Sequence, residues 1–230
     1  MRPFETLETF ETPEGKLLTL HRHDHDLAIH LDGEELMSSR APGSETTLAK
    51  VACRSLRAKR PRVLIGGLGL GFTLRAALDS LPEQSRVVVA EIFECVAEWN
   101  RRYVAEQIEA LGRPLDDPRV EIQIEDVHNV IAAASRGAYH AILLDVDNGP
   151  GAWCLRANSR LYGASGLGRI RAALAAGGVL AVWSTYPDPR FVGQLRRAGF
   201  EASREKARTR GKKGNHHTIF VARKPAGRSS

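Results

Sequence analysis

The chain has 230 residues, 43% of them hydrophobic and 26% charged, with a formal net charge of +6, which is ordinary for one large domain or one domain with a small appendage. No run approaches the roughly 20 apolar residues that a membrane-spanning helix needs, and the first residues lack the apolar core of a signal peptide. We therefore expect a cytoplasmic protein without a membrane anchor. The three cysteines, Cys53, Cys95 and Cys154, show no metal-binding or redox spacing.

Residues 1–43 predict a small β-rich N-terminal region. Residues 1–14 resemble an irregular arm, and apolar and polar residues then alternate through residues 16–37. The polar stretch 23–26 and the pair Asp32-Gly33 are turn signals, which predicts an antiparallel meander.

Three histidines in this region, His21, His23 and His25, would share one face of a continuous strand. Imidazoles in that pattern could bind a metal ion. Because the stretch is typical of a polar hairpin tip, we predict no metal site here.

Residues 44–223 alternate between strand and helix patterns, which predicts an α/β domain with a mostly parallel sheet. Ser44-Glu45 open a first helix, predicted over residues 46–58. The predicted strands cover 62–66, 86–90, 120–124, 140–144 and 179–183, and the predicted helices cover 72–80, 95–111, 165–175, 191–198 and a segment from 127. Gly177-Gly178 are predicted to cap the helix before them.

The end of the chain departs from this alternation. Residues 200–205 and 218–222 predict an antiparallel hairpin, and residues 224–230 a disordered tail. A Rossmann-like, seven-stranded sheet closed by such a hairpin resembles the class I methyltransferase architecture. The predicted basic loop 204–213 could guide nucleic acid, although without interleaved aromatic residues a solvated surface is the favoured interpretation.

The central motif is Gly67-x-Gly69-x-Gly71, between an apolar strand and a helix. A dinucleotide fingerprint would need glycine at Phe72 or Leu74, and no Lys-Ser/Thr pair follows, so neither a dinucleotide nor a Walker phosphate site is predicted. The remaining spacing is typical of folds that bind S-adenosylmethionine.

Acidic residues follow three of the predicted strands, where open α/β sheets bind ligands. Glu91 is placed to accept hydrogen bonds from the ribose hydroxyls of an adenosine. Asp126 and Val127 are placed beside the adenine, although Asp126 could equally cap a helix. Asp145 and Asp147 follow the fourth strand, where they could accept a proton from an attacking amine or hold a cationic substrate.

These residues together resemble the spermidine synthases, the aminopropyltransferase branch of the class I methyltransferase fold. The resemblance covers the segment from Asp32 to Ser39, the helix start at Ser44-Glu45, the glycine motif with its following Thr-Leu-Arg, Glu91, Asp126, and the loop from Asp145 to Pro150. It implies a transferase that uses S-adenosylmethionine or its decarboxylated form, with Asp145 as the base. It also favours a homodimer and a small-molecule acceptor.

Three positions depart from the family pattern. The family's aspartate inside the glycine motif is Leu70 here, its second catalytic-loop aspartate is Asn148, and its Tyr-His before the first helix's glutamate is Gly43-Ser44. All three losses remove groups that recognise cationic amines, and the loss at Leu70 predicts that intact S-adenosylmethionine is the donor. A methyl or aminopropyl transferase, a nucleic-acid methyltransferase and a non-catalytic nucleoside-binding homologue stay open.

Overall fold

The computed structural model describes residues 5–146, 159–210 and 213–226. Asp147 and Asn148, two of the residues singled out in the predicted catalytic loop, lie outside the described residues.

The N-terminal region is a four-stranded antiparallel sheet whose strands pair in chain order. Its strands are β1 (Glu5–Glu11), β2 (Leu17–His23), β3 (Asp26–Leu31) and β4 (Glu34–Ser38). The meander is confirmed, but the predicted irregular arm was wrong, because β1 pairs along β2 from Glu5↔Arg22 to Glu11↔Leu17. This outer strand is largely polar and half-exposed, so its extended structure comes from the ladder rather than from an apolar pattern.

The second sheet has seven strands in the order β10-β11-β9-β8-β5-β6-β7. Its strands are β5 (Arg62–Gly66), β6 (Arg86–Glu91), β7 (Val120–Ile124), β8 (Tyr139–Leu144), β9 (Leu174–Ser184), β10 (Glu201–Arg210) and β11 (Lys213–Arg223). All pairs are parallel except those made by β11 with β9 and β10, which confirms the predicted fold class. Strand order reverses at β5, so the crevice between the carboxyl ends of β5 and β8 is where this architecture binds ligands.

Helices cover both faces of the seven-stranded sheet. They are α1 (Gly43–Cys53), α2 (Phe72–Ser80), α3 (Glu94–Trp99), α4 (Ala105–Gln107), α5 (Val127–Ala133), α6 (Ser159–Tyr162), α7 (Ala164–Ala173) and α8 (Pro189–Arg197). The pleat of β5 divides the core, with Val63 and Ile65 packed on the side of α1 and α2 and Leu64 on the other side. None of the described helices combines the length and apolarity needed to span a membrane.

Two predicted helices end earlier than their patterns indicate. The first runs over Gly43–Cys53 instead of residues 46–58. The second, predicted over 95–111, is α-helical only to Trp99 and continues as a π-helical turn, Asn100–Val104, before α4 and a short 3₁₀ turn. The side-chain amide of Asn100 donates to the carbonyl oxygens of Val96 and of Gly69, so the π turn ties this helix to the glycine motif.

Two turn predictions were also wrong. Gly177 and Gly178 lie inside β9 and do not cap a helix; they exchange backbone hydrogen bonds with Lys224 at the end of β11. The predicted basic loop 204–213 is mostly β10, where exposed Arg204, Lys206, Arg208 and Arg210 alternate with the buried Ala207 and Thr209. Alternation with a period of two indicates a strand. The high density of charged residues in this segment had favoured the prediction of a loop.

Candidate active site

A cavity of about 210 Å³ lies between the N-terminal sheet and the carboxyl ends of strands β5 to β8. The glycine motif contributes backbone at Gly67 and Gly69, and the seven-stranded sheet contributes Ala90, Glu91 and Asp145. The N-terminal sheet covers the opposite side with apolar side chains, namely Leu18, Ile29, Leu31, Leu36 and Met37. The two sheets therefore enclose one site together.

The described lining of this cavity is acidic. It contains no lysine, arginine or histidine and includes six carboxylates, which are Glu14, Glu45, Glu91, Glu125, Asp126 and Asp145. The chain as a whole carries a net charge of +6, so the cavity has the opposite sign from the average surface. A low-dielectric cleft lined by one sign of charge concentrates ligands of the other sign.

The glycine motif forms a tight turn under the cavity. Gly67, Gly69 and Gly71 all have positive φ, at 85°, 51° and 86°. A Cβ at Gly67 would lie 2.3 Å from the carbonyl oxygen of Asp145, and one at Gly69 would lie 2.3 Å from Sδ of Met37. The motif thus needs glycine both for its backbone angles and for the close approach of neighbouring groups.

We expect Gly67→Ala to destabilise the fold by about 2–4 kcal/mol and to abolish the nucleoside binding that the sequence predicts for this turn, because it adds a steric clash to an unfavourable backbone angle. Gly112→Ala is the matched control, since Gly112 also has positive φ, at 59°, but nothing lies within 4 Å of its added Cβ. Thermal denaturation and calorimetric titration of both variants separate the two effects. Equal losses in both variants would show that the space beside Asp145 does not matter.

Glu91 is the last residue of β6, and its side chain binds the backbone of the glycine turn. Its Oε2 accepts the N–H of Leu68 at 2.9 Å and its Oε1 accepts the N–H of Phe93 at 3.0 Å. The side chain is buried yet lines the cavity. Burial raises the pKa of the Glu91 carboxyl, while the backbone N–H groups of Leu68, Phe93, Ile92 and Gly69 oppose that shift by stabilising the charged form.

Asp126 and Val127 lie at the start of α5. The Oδ1 of Asp126 accepts the N–H of His128 at 2.8 Å, so this residue is the helix N-cap, and it also lines the cavity. Its Oδ2 lies 3.6 Å from Arg160. Val127 is buried against the backbone of Gly66, where a Cβ would lie 2.8 Å from it. The cap role and the cavity position therefore coexist at Asp126.

Asp145 follows β8 directly and its backbone N–H bonds the carbonyl of Gly66 at 2.9 Å. Its Oδ2 accepts the hydroxyl of Thr73 at 2.6 Å. Burial first, and the charge of Glu45 second, raise the pKa of Asp145 to about 7, and the Thr73 hydroxyl opposes that shift. A carboxyl that titrates near neutrality inside a cavity is suited to accept and release protons.

Glu45 was noted in the sequence only as the start of α1. It lines the cavity, and burial raises its pKa. Its Oε2 accepts the hydroxyl of Ser44 at 2.6 Å, and His217 lies 3.1 Å from that hydroxyl. No sequence pattern could indicate that His217 lies near Glu45. The two residues are far apart in the chain, and the pairing of β11 with β9 brings His217 to this place.

Other highlighted residues have structural roles. The ring of His21 packs on that of His30 and bonds Thr19, and no metal-binding cluster of three or more residues occurs within 5–146, 159–210 and 213–226. Leu70 is fully buried in the core and does not line the cavity. The side chain at position 70 therefore does not set the charge of the site.

The chain matches no established family model. It is 34% identical over 123 residues to polyamine aminopropyltransferases of Thermoanaerobacter sp. (strain X514) and Thermoanaerobacter pseudethanolicus (strain ATCC 33223 / 39E). The match covers 53% of this chain and 42% of each relative, so it spans less than half of those proteins.

Solved structures agree over more of the chain. A spermidine synthase from Thermotoga maritima and a spermidine synthase in complex with the transition-state analogue AdoDATO each have a TM-score of 0.72 at 20% identity, covering 96% of this chain and 73% of theirs. A probable spermidine synthase from Corynebacterium glutamicum ATCC 13032 has a TM-score of 0.69 at 18% identity, covering 97% and 81%. The predicted resemblance and the fold are confirmed.

Proposed function

We propose that the protein is an aminopropyltransferase that takes the aminopropyl group from decarboxylated S-adenosylmethionine and adds it to a small amine. The observation that carries this proposal is the cavity, which joins a glycine turn and Glu91 to Asp145 and has six carboxylates and no basic residue in its described lining. Both substrates are cationic, the donor through its sulfonium and ammonium groups and the acceptor through its amine. An acidic, enclosed cleft attracts both.

The donor's nucleoside fits the side of the cavity formed by the glycine turn. Glu91 lines the cavity beside this turn, so its carboxylate would accept the ribose hydroxyls as well as the N–H groups of Leu68 and Phe93. Asp126 and Val127 would contact the adenine beside α5. AdoDATO, the transition-state analogue bound in one of the spermidine synthase structures, is a suitable probe for this side of the cavity.

The transfer needs one base and accurate positioning. The acceptor's ammonium group loses a proton to Asp145, and the resulting neutral amine gives its electron pair to the donor carbon next to sulfur. The carbon–sulfur bond breaks, its electrons neutralise the sulfonium, and a carbon–nitrogen bond forms. Because the sulfonium is already activated, holding the two reactants together supplies most of the acceleration.

Position 70 was the basis for expecting intact S-adenosylmethionine as the donor. Since Leu70 lies in the core, the charge of the cavity comes from its six carboxylates, which disfavour a ligand with a carboxylate of its own. We therefore expect the decarboxylated donor to bind at least tenfold more tightly than S-adenosylmethionine, consistent with the typical energy of one unfavourable charge contact.

Isothermal titration with both nucleosides tests this expectation, with methylthioadenosine as the uncharged control. Tighter binding of S-adenosylmethionine would contradict it and would favour methyl transfer. Failure of all three to bind would remove the proposed function itself.

The acidic cavity also bears on the remaining hypotheses. Nucleic acid would have to present its phosphates near six carboxylates, so the basic residues of β10 favour a solvated surface over a substrate track. A homologue that only binds a nucleoside would not need a buried carboxyl group with a raised pKa at position 145, which argues against the non-catalytic hypothesis. The homodimer and the cytoplasmic location stay predictions.

A further inference from the structure

A hydrogen-bonded chain of three side chains lies beside the cavity and is not used by the proposed chemistry. Ser44 and Glu45 belong to the first turn of α1, and His217 belongs to β11. The hydroxyl of Ser44 donates to Oε2 of Glu45 at 2.6 Å, and Nδ1 of His217 lies 3.1 Å from the same hydroxyl oxygen. Ser44 is 1% exposed and Glu45 is 9% exposed, while His217 is half-buried.

The direction of these bonds follows from the single hydrogen of the serine hydroxyl. Because that hydrogen goes to Glu45, the oxygen of Ser44 accepts, and His217 must carry a hydrogen on Nδ1. Burial lowers the pKa of His217, which favours the neutral ring with that one tautomer. The ring of Trp183 packs edge-on against His217 at 4.6 Å and also lines the cavity.

The backbone around Gly43 explains why the histidine reaches this place. A Cβ at Gly43 would lie 2.5 Å from the carbonyl oxygen of Arg208, so glycine allows the hairpin of β10 and β11 to approach the start of α1. The spermidine synthases that the sequence resembles have Tyr-His where this chain has Gly43-Ser44. Here the imidazole comes from β11 instead.

Glu45 and Asp145 line the same cavity. The hydroxyl oxygen of Thr73 lies 2.6 Å from Oδ2 of Asp145 and 3.5 Å from the backbone carbonyl oxygen of Glu45, so one α2 side chain touches both residues. Two neighbouring buried carboxyl groups do not both ionise readily, because each charge disfavours the other. A cation bound beside them would stabilise the charged form of both.

We propose that Glu45 is the specificity-determining carboxylate of the acceptor site, held by Ser44 and His217 as positioning residues, and that it binds the acceptor's ammonium together with Asp145. The inference rests on the proposed function, since it concerns the acceptor end of the same site. Binding of the ammonium group favours the charged form of both carboxyl groups and therefore releases a proton. The other titratable groups that line the cavity, Glu14, Glu91, Glu125 and Asp126, are acidic as well and strengthen the preference for a cation.

The experiment compares Glu45→Gln, Ser44→Ala, His217→Phe and His217→Asn with the unaltered protein. Phenylalanine keeps a ring against Trp183 but lacks the N–H donor, whereas asparagine offers an N–H near the position of Nδ1. The probes are the decarboxylated donor, 1,4-diaminobutane and 1-propylamine, with 1-propanol as the uncharged analogue. The readouts are donor Kd, acceptor KM and kcat, the pH profile of kcat/KM, and the protons released on acceptor binding.

For Glu45→Gln we expect the acceptor KM to rise by about 10–100-fold, as for loss of one partner of a buried charge contact, with donor Kd unchanged within about twofold. The acid limb of the pH profile should shift to lower pH, because Asp145 loses a negative neighbour, and fewer protons should be released on binding. Ser44→Ala and His217→Phe should raise the acceptor KM by about 3–10-fold, the range of one lost hydrogen bond. His217→Asn should restore most of that loss.

The inference is overturned if Glu45→Gln leaves the pH profile and the proton release as they are, or if His217→Asn is as impaired as His217→Phe. Should Glu45→Gln fail to fold, the two His217 variants decide the question through acceptor KM and the pH profile. If the unaltered protein does not bind the donor, the proposed function fails first. If Glu45→Gln binds the donor and its acceptor KM is unchanged, the inference about Glu45 is contradicted while the proposed function stands.

Discussion

The Asp145→Asn protein is expected to lose aminopropyl transfer by a factor of about 10²–10⁴ while becoming more stable above neutral pH. The loss of activity follows because asparagine cannot accept the acceptor's proton, and a positioned base typically contributes about 10²–10⁴-fold. Binding of the donor nucleoside should change little, since Glu91 and the glycine turn remain. Single-turnover assays and titration calorimetry measure the two effects separately.

The gain in stability follows from proton linkage at Asp145. The folded protein holds the pKa of this carboxyl at about 7, above its ordinary value of 3.8, so the folded state binds the proton more tightly than the unfolded state. The stabilisation is fully present below about pH 4 and is lost as the pH rises through about 7. Asparagine has no proton to lose, so at pH 8 the variant should gain about 1–3 kcal/mol in unfolding free energy.

Denaturant unfolding at pH 4.5, 6 and 8 checks this dependence. The difference between the two proteins should grow with pH and level off above pH 7.5. Asp126→Asn is the matched control, because it removes a carboxylate from the same cavity while asparagine preserves the helix cap. A constant difference across the pH range, or equal behaviour of the two variants, would show that Asp145 does not titrate as the structure indicates.

Replacing Glu91 by glutamine is expected to weaken donor binding by at least about 100-fold and to destabilise the fold by about 2–4 kcal/mol. Both carboxylate oxygens of Glu91 accept backbone N–H groups, from Leu68 and from Phe93. In glutamine one oxygen becomes an NH₂ group that faces an N–H donor, which leaves a buried donor unsatisfied. The glycine turn then loses the anchor that fixes its shape, and the ribose loses an acceptor.

Calorimetric titration with the decarboxylated donor and with methylthioadenosine measures the loss for a charged and an uncharged nucleoside. Both affinities should fall together, because the lost interaction is with the ribose rather than with the sulfonium. The control is Glu94→Gln. Glu94 is an exposed residue at the start of α3 that does not line the cavity. Nucleoside affinity that survives in Glu91→Gln would leave the glycine turn as the only basis for donor binding.

Much of this fold follows from local sequence patterns. The apolar strands β5, β6 and β8 are short, continuous and bounded by turn residues, and each lies where its pattern predicts. Gly67, Glu91 and Asp145 were identified because parallel strands bring their carboxyl ends to one edge. The chain order of strands and helices therefore indicates which residues line the side of the cavity that we propose for the donor.

Other features could only be decided by the tertiary structure. The strand β1 exists because β2 pairs with it. Leu70 packs in the core and does not line the cavity. His217 joins Glu45 only because the C-terminal hairpin pairs along β9 and the absence of a side chain at Gly43 allows it to approach α1. Such contacts depend on the register of distant segments, which a local pattern does not contain.

The sequence by itself thus determined the architecture, the glycine turn and the acidic residues at three strand ends, since each depends on neighbouring residues and on the period of two or 3.6. The tertiary structure decided that six carboxylates meet in one cavity and that the charge of Glu45 acts on Asp145. The physical reason is that burial and mutual charge set the chemistry of these carboxyl groups. Both properties arise only when segments far apart in the chain exclude water from the same volume.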